Sequence, residues 1–168
     1  MGRRITKGDY MGYSHYFTFK AVKRGTTKQV NANFAKAVQA CQALVYTYNK
    51  TRTDETRLAG YTAHTKPGAY GGLKFNGTDN LSHEDFIIRE HYKENVGFNF
   101  CKTNQKPYDE VVTACLCILK HYLGDNIDVD SDGDSLDWVH GLELARKATG
   151  VKTVKMPSTI KTRIGAVG

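Results

Sequence analysis

The chain of 168 residues is 40% hydrophobic and 24% charged, which is ordinary for one folded domain with its own core. No apolar run approaches the roughly 20 residues of a transmembrane helix, and no apolar segment follows the basic first residues as it would in a signal peptide. These features argue against a membrane protein and against a secreted one, and they predict a cytoplasmic protein.

The net charge of +7 is concentrated at the two ends of the sequence. Asp9 is the only acid in residues 1–30, and residues 144–168 contain no acid, whereas acids outnumber bases between these two segments. Basic ends attract phosphates or acidic protein surfaces. The predicted organisation is a basic N-terminal lead (residues 1–12), a single domain (residues 13–150) and a basic C-terminal tail (residues 151–168).

The first predicted elements are a strand and a long helix. Alternating side chains predict a strand over residues 13–22, and Gly25 marks the polar loop after it. Asn31 or Asn33 is the predicted N-cap of a helix that runs to about Lys50. Its apolar residues recur at helical spacing and are Phe34, Val38, Cys41, Val45 and Tyr48.

Residues 51–72 are rich in glycine and poor in apolar patterning, so they predict a loop insertion with at most a short strand near residues 58–63. A strand over residues 72–76 follows and is closed by an Asn-Gly turn, a strong hairpin signal. Residues 84–90 are its predicted partner strand.

The central predicted element is a helix from about Tyr108 to Leu123, which a short strand at residues 98–102 precedes. Acids in the first turn favour the positive end of the helix dipole, and Gly124 is a typical terminator. Its apolar face predicts burial of Cys115 and Leu119.

The remaining pattern predicts a strand over residues 126–131, a helix that begins at Asp134 or Ser135 and ends by Gly150, and a short strand over residues 151–154. The element order predicts a single α+β domain in which about three helices pack on a mixed, largely antiparallel sheet. Four cysteines lie in predicted apolar elements, which is typical of free thiols in a reducing compartment.

Several short motifs follow one another between residues 11 and 148. They are MGYSHY at 11–16, FNG at 75–77, HEDF at 83–86, FCKT at 100–103, KPYD at 106–109, KH at 120–121, GD at 124–125, SDGD at 131–134 and DW at 137–138. This order resembles a family of small uncharacterised proteins that phages and bacterial genomes encode. The resemblance implies a phage-type soluble protein and brings no established activity with it.

Polar residues in three segments are predicted to form one ligand pocket with the start of the central helix as its floor. Free N–H groups at a helix start favour an anion, and nearby lysines add charge. The alternative is a set of solvated loop lysines and helix caps. Two histidines, His15 and His83, are also candidate general acids or bases. The candidate ligand-binding residues are His15, Asn76, His83, Lys102, Lys106, Tyr108 and Asp109.

The aspartates at positions 128, 130, 132 and 134 are spaced like the start of a calcium-binding loop. Val139 stands where that loop needs a bidentate acid, and a helix cap explains Asp134 directly. The sequence therefore predicts neither a metal nor another cofactor. Asp132 and Asp134 are the ligands a metal would use in the enzymatic alternative below.

The leading prediction is a protein that binds an anionic ligand, a nucleotide or a nucleic-acid phosphate, without classical catalysis. Antagonism of host nucleotide-based defence is the use that the phage resemblance implies. One alternative is a metal-dependent phosphodiesterase or nuclease that uses His15, His83, Asp132 and Asp134. Another is a structural factor of a phage assembly whose basic ends dock on an acidic host protein. A homo-oligomer is compatible with each of these.

Overall fold

The structure, a computed structural model, describes residues 12–164. The described chain is α+β, as the sequence predicts. Its elements in chain order are β1 (Ser14–Phe19), α1 (Thr27–Lys50), β2 (Leu58–Ala59), α2 (Tyr61–His64), β3 (Leu73–Gly77), β4 (Phe86–Ile88), α3 (Tyr92–Asn95), β5 (Gly97–Lys102), α4 (Asp109–Leu123), β6 (Ile127–Ser131) and α5 (Ser135–Thr149).

The strands divide between two antiparallel sheets of three strands rather than forming a single sheet. In the first, β1 is the central strand and pairs with β5 on one side and with β6 on the other. Alternate residues of β1 point to opposite faces, and those on the inner face, His15, Phe17 and Phe19, are buried. The outer face of this sheet carries the residues between them and is left open.

Helix α4 lies at the centre of the core, where it packs against both α1 and α5. Cys115 and Leu119 are fully buried, which confirms their prediction from the apolar face. The helix ends where the sequence places its end, because Gly124 adopts a positive φ of 53° and Lys120 donates to the carbonyls of Gly124 and Ile127.

The second sheet, β2–β3–β4, covers one end of α1, and part of it comes from the predicted loop insertion. Strand β2 is only two residues long because Gly60 follows it. Gly60 has a φ of 101°, and a Cβ there would collide with the backbone oxygen of Lys74. Helix α1 also begins earlier than predicted, at Thr27, so Asn31 and Asn33 lie within it rather than capping it.

The described part of the predicted C-terminal tail packs on the domain, so the prediction of a tail beyond residue 150 is wrong for residues 151–164. The side chains of Val154 and Ile160 are buried in the core. Hydrogen bonds to backbone carbonyls fix the segment, because the Arg146 side chain donates from Nε to Val154 O at 2.8 Å and Ser135 N donates to Lys161 O at 2.8 Å. The predicted strand over residues 151–154 is a turn instead.

Among residues 12–164, no helix combines the length and the apolar character that crossing a membrane requires.

Candidate functional site

The strand register separates two of the predicted pocket residues. His15 lies opposite Cys101, whereas Lys102 lies opposite Ser14, so the side chains of His15 and Lys102 point to different faces of the sheet. The prediction that His15, His83, Lys102 and Lys106 share one pocket is therefore wrong. The physical reason is the two-residue period of a strand, which places neighbouring positions on opposite sides.

On the inner face, His15 is the centre of a buried polar network. Its Nε2 lies 2.6 Å from Asp109 Oδ1, and its Nδ1 lies 2.8 Å from Ser131 Oγ. Thr103 Oγ1 donates to the same Asp109 oxygen at 2.5 Å. Ser131 Oγ accepts from the N–H groups of Gly133 and Trp138, so its single proton is left for His15 Nδ1.

This proton assignment makes His15 Nε2–H the donor to Asp109 and leaves the ring with no nitrogen for a ligand. The His15 side chain is also 0% exposed. His15 thus contacts both Ser131 and Asp109, although these residues are far apart in the sequence. The serine oxygen, however, already accepts from one backbone N–H and one indole N–H inside the fold. The network fits a structural role, and it does not support His15 as an acid or base.

Next to this network, the Tyr13 hydroxyl is buried and has no hydrogen-bond partner among the described residues. Burial raises the pKa of the Tyr13 phenol well above its usual range, and the nearby charge of Asp109 raises it further. Tyr13 therefore stays a neutral phenol.

The start of α4 does not form the floor of an anion pocket. The Tyr108 ring is buried, and its hydroxyl donates to Glu84 O at 2.6 Å. The Asp109 carboxylate faces inward to His15. The predicted anion site at this helix start is wrong, because both residues are used inside the core.

The remaining candidates do lie on neighbouring segments. Asn76 stabilises the turn after β3, where its amide donates to His83 O and its oxygen accepts from His83 N. Lys106 Nζ reaches that turn and donates to Asn80 O at 3.0 Å. Glu84 N donates to Lys102 O at 3.1 Å. The turn carrying Asn76 and His83 is thus packed beside the end of β5.

Both metal candidates have structural partners. Asp132 accepts from Ser14 N at 3.0 Å and from the Tyr16 hydroxyl, and Asp134 is the N-cap of α5, where it accepts from Leu136 N. Within the described part of the chain, no group of three or more His, Cys, Asp or Glu side chains could hold a metal ion. The geometry gives no support to the nuclease alternative.

A groove of about 790 Å³ lies between α1, residues 68–72 and residues 90–93. Gln42 in its wall donates to Tyr70 O and Gly72 O and accepts from Gly68 N, so its amide is used to hold the loop. None of the predicted site residues lines this groove.

The open outer face of the β5–β1–β6 sheet carries a row of aromatic side chains, which we call the aromatic row: Tyr16, Phe98 and Phe100. Phe98 and Phe100 are 65% and 56% exposed. The Phe98 ring stacks on Tyr16 with centroids 6.1 Å apart and planes at 20°, and on Phe100 at 6.1 Å and 29°. Solvent-facing rings that stack in parallel planes are a typical base-binding surface of RNA- and single-strand-binding proteins.

Opposite signs of charge flank the aromatic row. Lys102 continues the outer face of β5, whereas β6 presents Asp128 and Asp130 on the same face and Asp132 follows directly after β6. Lys20 pairs with Asp128 at 3.3 Å. The hydrogen bond to Asp132 fixes the Tyr16 ring, and burial together with this carboxylate raises the pKa of Tyr16.

The aromatic row was not predicted as a site, although the sequence contains the alternation that places its two phenylalanines on one face of a strand. Residues 98–102 were predicted as a strand, and alternation places Phe98 and Phe100 on one face and Cys101 on the other. Both faces carry apolar residues, so the alternation alone does not indicate which face is buried.

No family model, curated protein or solved structure matches this chain. The resemblance to phage and bacterial proteins therefore stays a prediction.

Proposed function

We propose that the protein binds single-stranded nucleic acid by stacking bases on the aromatic row. The observation that carries the proposal is the parallel stacking of three rings, two of them more than half exposed, on an open sheet face. Exposed phenylalanines in water are costly for a soluble surface, and base stacking on such rings contributes about 1–3 kcal/mol per base.

The number of rings in the aromatic row favours a nucleic-acid strand over a free nucleotide. Phe98 stacks on both Tyr16 and Phe100 with centroids 6.1 Å apart, and Phe100 lies opposite Tyr16 in the sheet. Successive bases of one strand can occupy successive rings, whereas a mononucleotide uses only one. The phage resemblance adds nucleotide-based host defence as the setting in which such binding would act.

The charge of the chain supports the approach of a polyanion at the β5 end of the face. The first described residue, Gly12, lies against the end of the Lys102 side chain. The basic lead therefore joins the domain next to Lys102, and its sequence contributes Arg3, Arg4 and Lys7. Binding should weaken as salt rises, because phosphate contacts release counterions.

Fluorescence anisotropy with a labelled single-stranded nonamer tests the proposal. Phe98→Ala and Phe100→Ala should each weaken binding at least about tenfold, the lower range expected for one lost base stack. Tyr70→Ala is the matched control, because Tyr70 is 64% exposed but lies in the loop that lines the groove beside α1. Equal affinity of all three variants and the unmodified protein would overturn the proposal, as would tighter binding of duplex than of single strand.

A further inference from the structure

We propose that Asp130 selects the bases that stack on the aromatic row, favouring guanine over uracil or thymine. This inference rests on the proposed function and specifies its substrate class. A carboxylate accepts hydrogen bonds and cannot donate them at neutral pH. Guanine offers two neighbouring N–H donors on its Watson–Crick edge, while uracil flanks its single donor with two carbonyl oxygens that a carboxylate repels.

The register aligns Asp130 with the aromatic row. Phe100 lies opposite Tyr16 on one side of β1, and Asp130 lies opposite Tyr16 on the other. Directly opposed residues share a face, with Cβ atoms about 4.5–5.5 Å apart. A base stacked at Tyr16 therefore has the Asp130 carboxylate beside its edge.

The two aspartates of β6 and Asp132 directly after it differ in their existing hydrogen-bond and ion-pair partners. Asp128 pairs with Lys20, and Asp132 accepts from Ser14 N and the Tyr16 hydroxyl. Asp130 forms no ion pair with another described residue, and one of its oxygens accepts from Ser131 N at 2.8 Å. Its other oxygen is directed at no described partner, so within residues 12–164 Asp130 is the carboxylate best placed to meet a ligand.

The charge gradient across the face sets the orientation of the bound nucleic-acid strand. Phosphates are attracted to the β5 side, where Lys102 lies, and are repelled from the carboxylates of β6. A nucleic-acid strand whose sugar-phosphate backbone runs along β5 directs its bases across Tyr16 with their edges toward Asp130. The acidic side of the face repels phosphates, so it is the side that contacts the edges of the bases.

Two nonamers of equal length and charge test the inference: all-uridine, and the same strand with guanosine at positions four and six. The unmodified protein should bind the guanosine strand about tenfold more tightly, in the range of one specific base contact. Asp130→Asn should reduce that ratio to below about threefold. Asp130→Glu, which retains the carboxylate, should preserve the preference.

Asp125→Asn is the matched control, because it removes the same charge from an exposed aspartate in the turn at Gly124–Asn126, away from the aromatic row. Equal binding of both strands by the unmodified protein would overturn the inference and leave the proposed function standing. A preference that survives Asp130→Asn would also overturn it. Failure to bind either strand would overturn the proposed function and this inference with it.

Discussion

Asp109 shows how one side chain can join a strand, a loop and a helix start inside the fold. Its Oδ1 accepts from His15 on β1 and from Thr103 in the loop after β5, while its own residue begins α4. Its position in the first turn also favours the helix dipole. The residue was predicted as a ligand contact, and it is instead the acceptor on which two buried donors depend.

Asp109→Ala should lower the free energy of unfolding by about 3–5 kcal/mol, because the His15 and Thr103 donors are each left buried without an acceptor. Asp109→Asn retains an oxygen at the same place and should cost only about 1 kcal/mol. Urea denaturation of the two variants measures the difference. Equal losses would mean that the negative charge, rather than the acceptor, is what the network needs.

At the scale of elements, the C-terminal segment 151–164 behaves as part of the domain, although it has no regular structure. It is fixed by a few buried side chains and by backbone bonds to α5. Ile160 and Ile164 provide a natural comparison, because they are 8% and 91% exposed.

Ile160→Ala should destabilise the protein by about 2–5 kcal/mol, the usual cost of truncating a buried isoleucine. Ile164→Ala should change stability by less than about 0.5 kcal/mol, as exposed substitutions do. Thermal or urea unfolding followed by circular dichroism compares the pair. A similar, small effect of both would show that the segment adds little to the stability of the domain.

The elements differ in how far the sequence predicts them. Helix α4 was predicted within a residue at both ends, because acids at its start, a broad apolar face and Gly124 all act locally. The outer face of β5 could not be predicted, because its exposure depends on β1 and β6, which lie far away in the chain. The C-terminal segment was missed because its three buried residues, Val154, Pro157 and Ile160, stand in a polar, basic stretch and do not form a helical or strand pattern.

For the molecule as a whole, buried thiols and phenols make the free energy of unfolding decrease at alkaline pH. Burial raises the pKa of Cys117 to about 12, from 9.0 for an ordinary thiol. Burial likewise raises the pKa of Cys101, Tyr48 and Tyr108. In each case the folded state holds the proton more strongly than the unfolded chain does.

Because of this difference, the stabilisation that the Cys117 thiol contributes is fully present below about pH 9 and is lost as the pH rises toward 12. Cys117 alone should contribute a loss of about 1.4 kcal/mol per pH unit above 9. Urea denaturation at pH 8, 9 and 10 under reducing conditions measures the slope. Cys117→Ala should have a shallower slope than the unmodified protein, and identical slopes would rule out this thiol as a source.

The central position of β1 also has a consequence for how the chain folds. This strand precedes both of its neighbours in the chain by many residues: His15 and Ser131, which touch in the finished sheet, are 116 positions apart. Contacts of such long range close large loops and slow folding. In a nascent chain β1, with its two buried phenylalanines, therefore lacks both partner strands until β5 and β6 have been made, and apolar surface exposed in that interval favours aggregation.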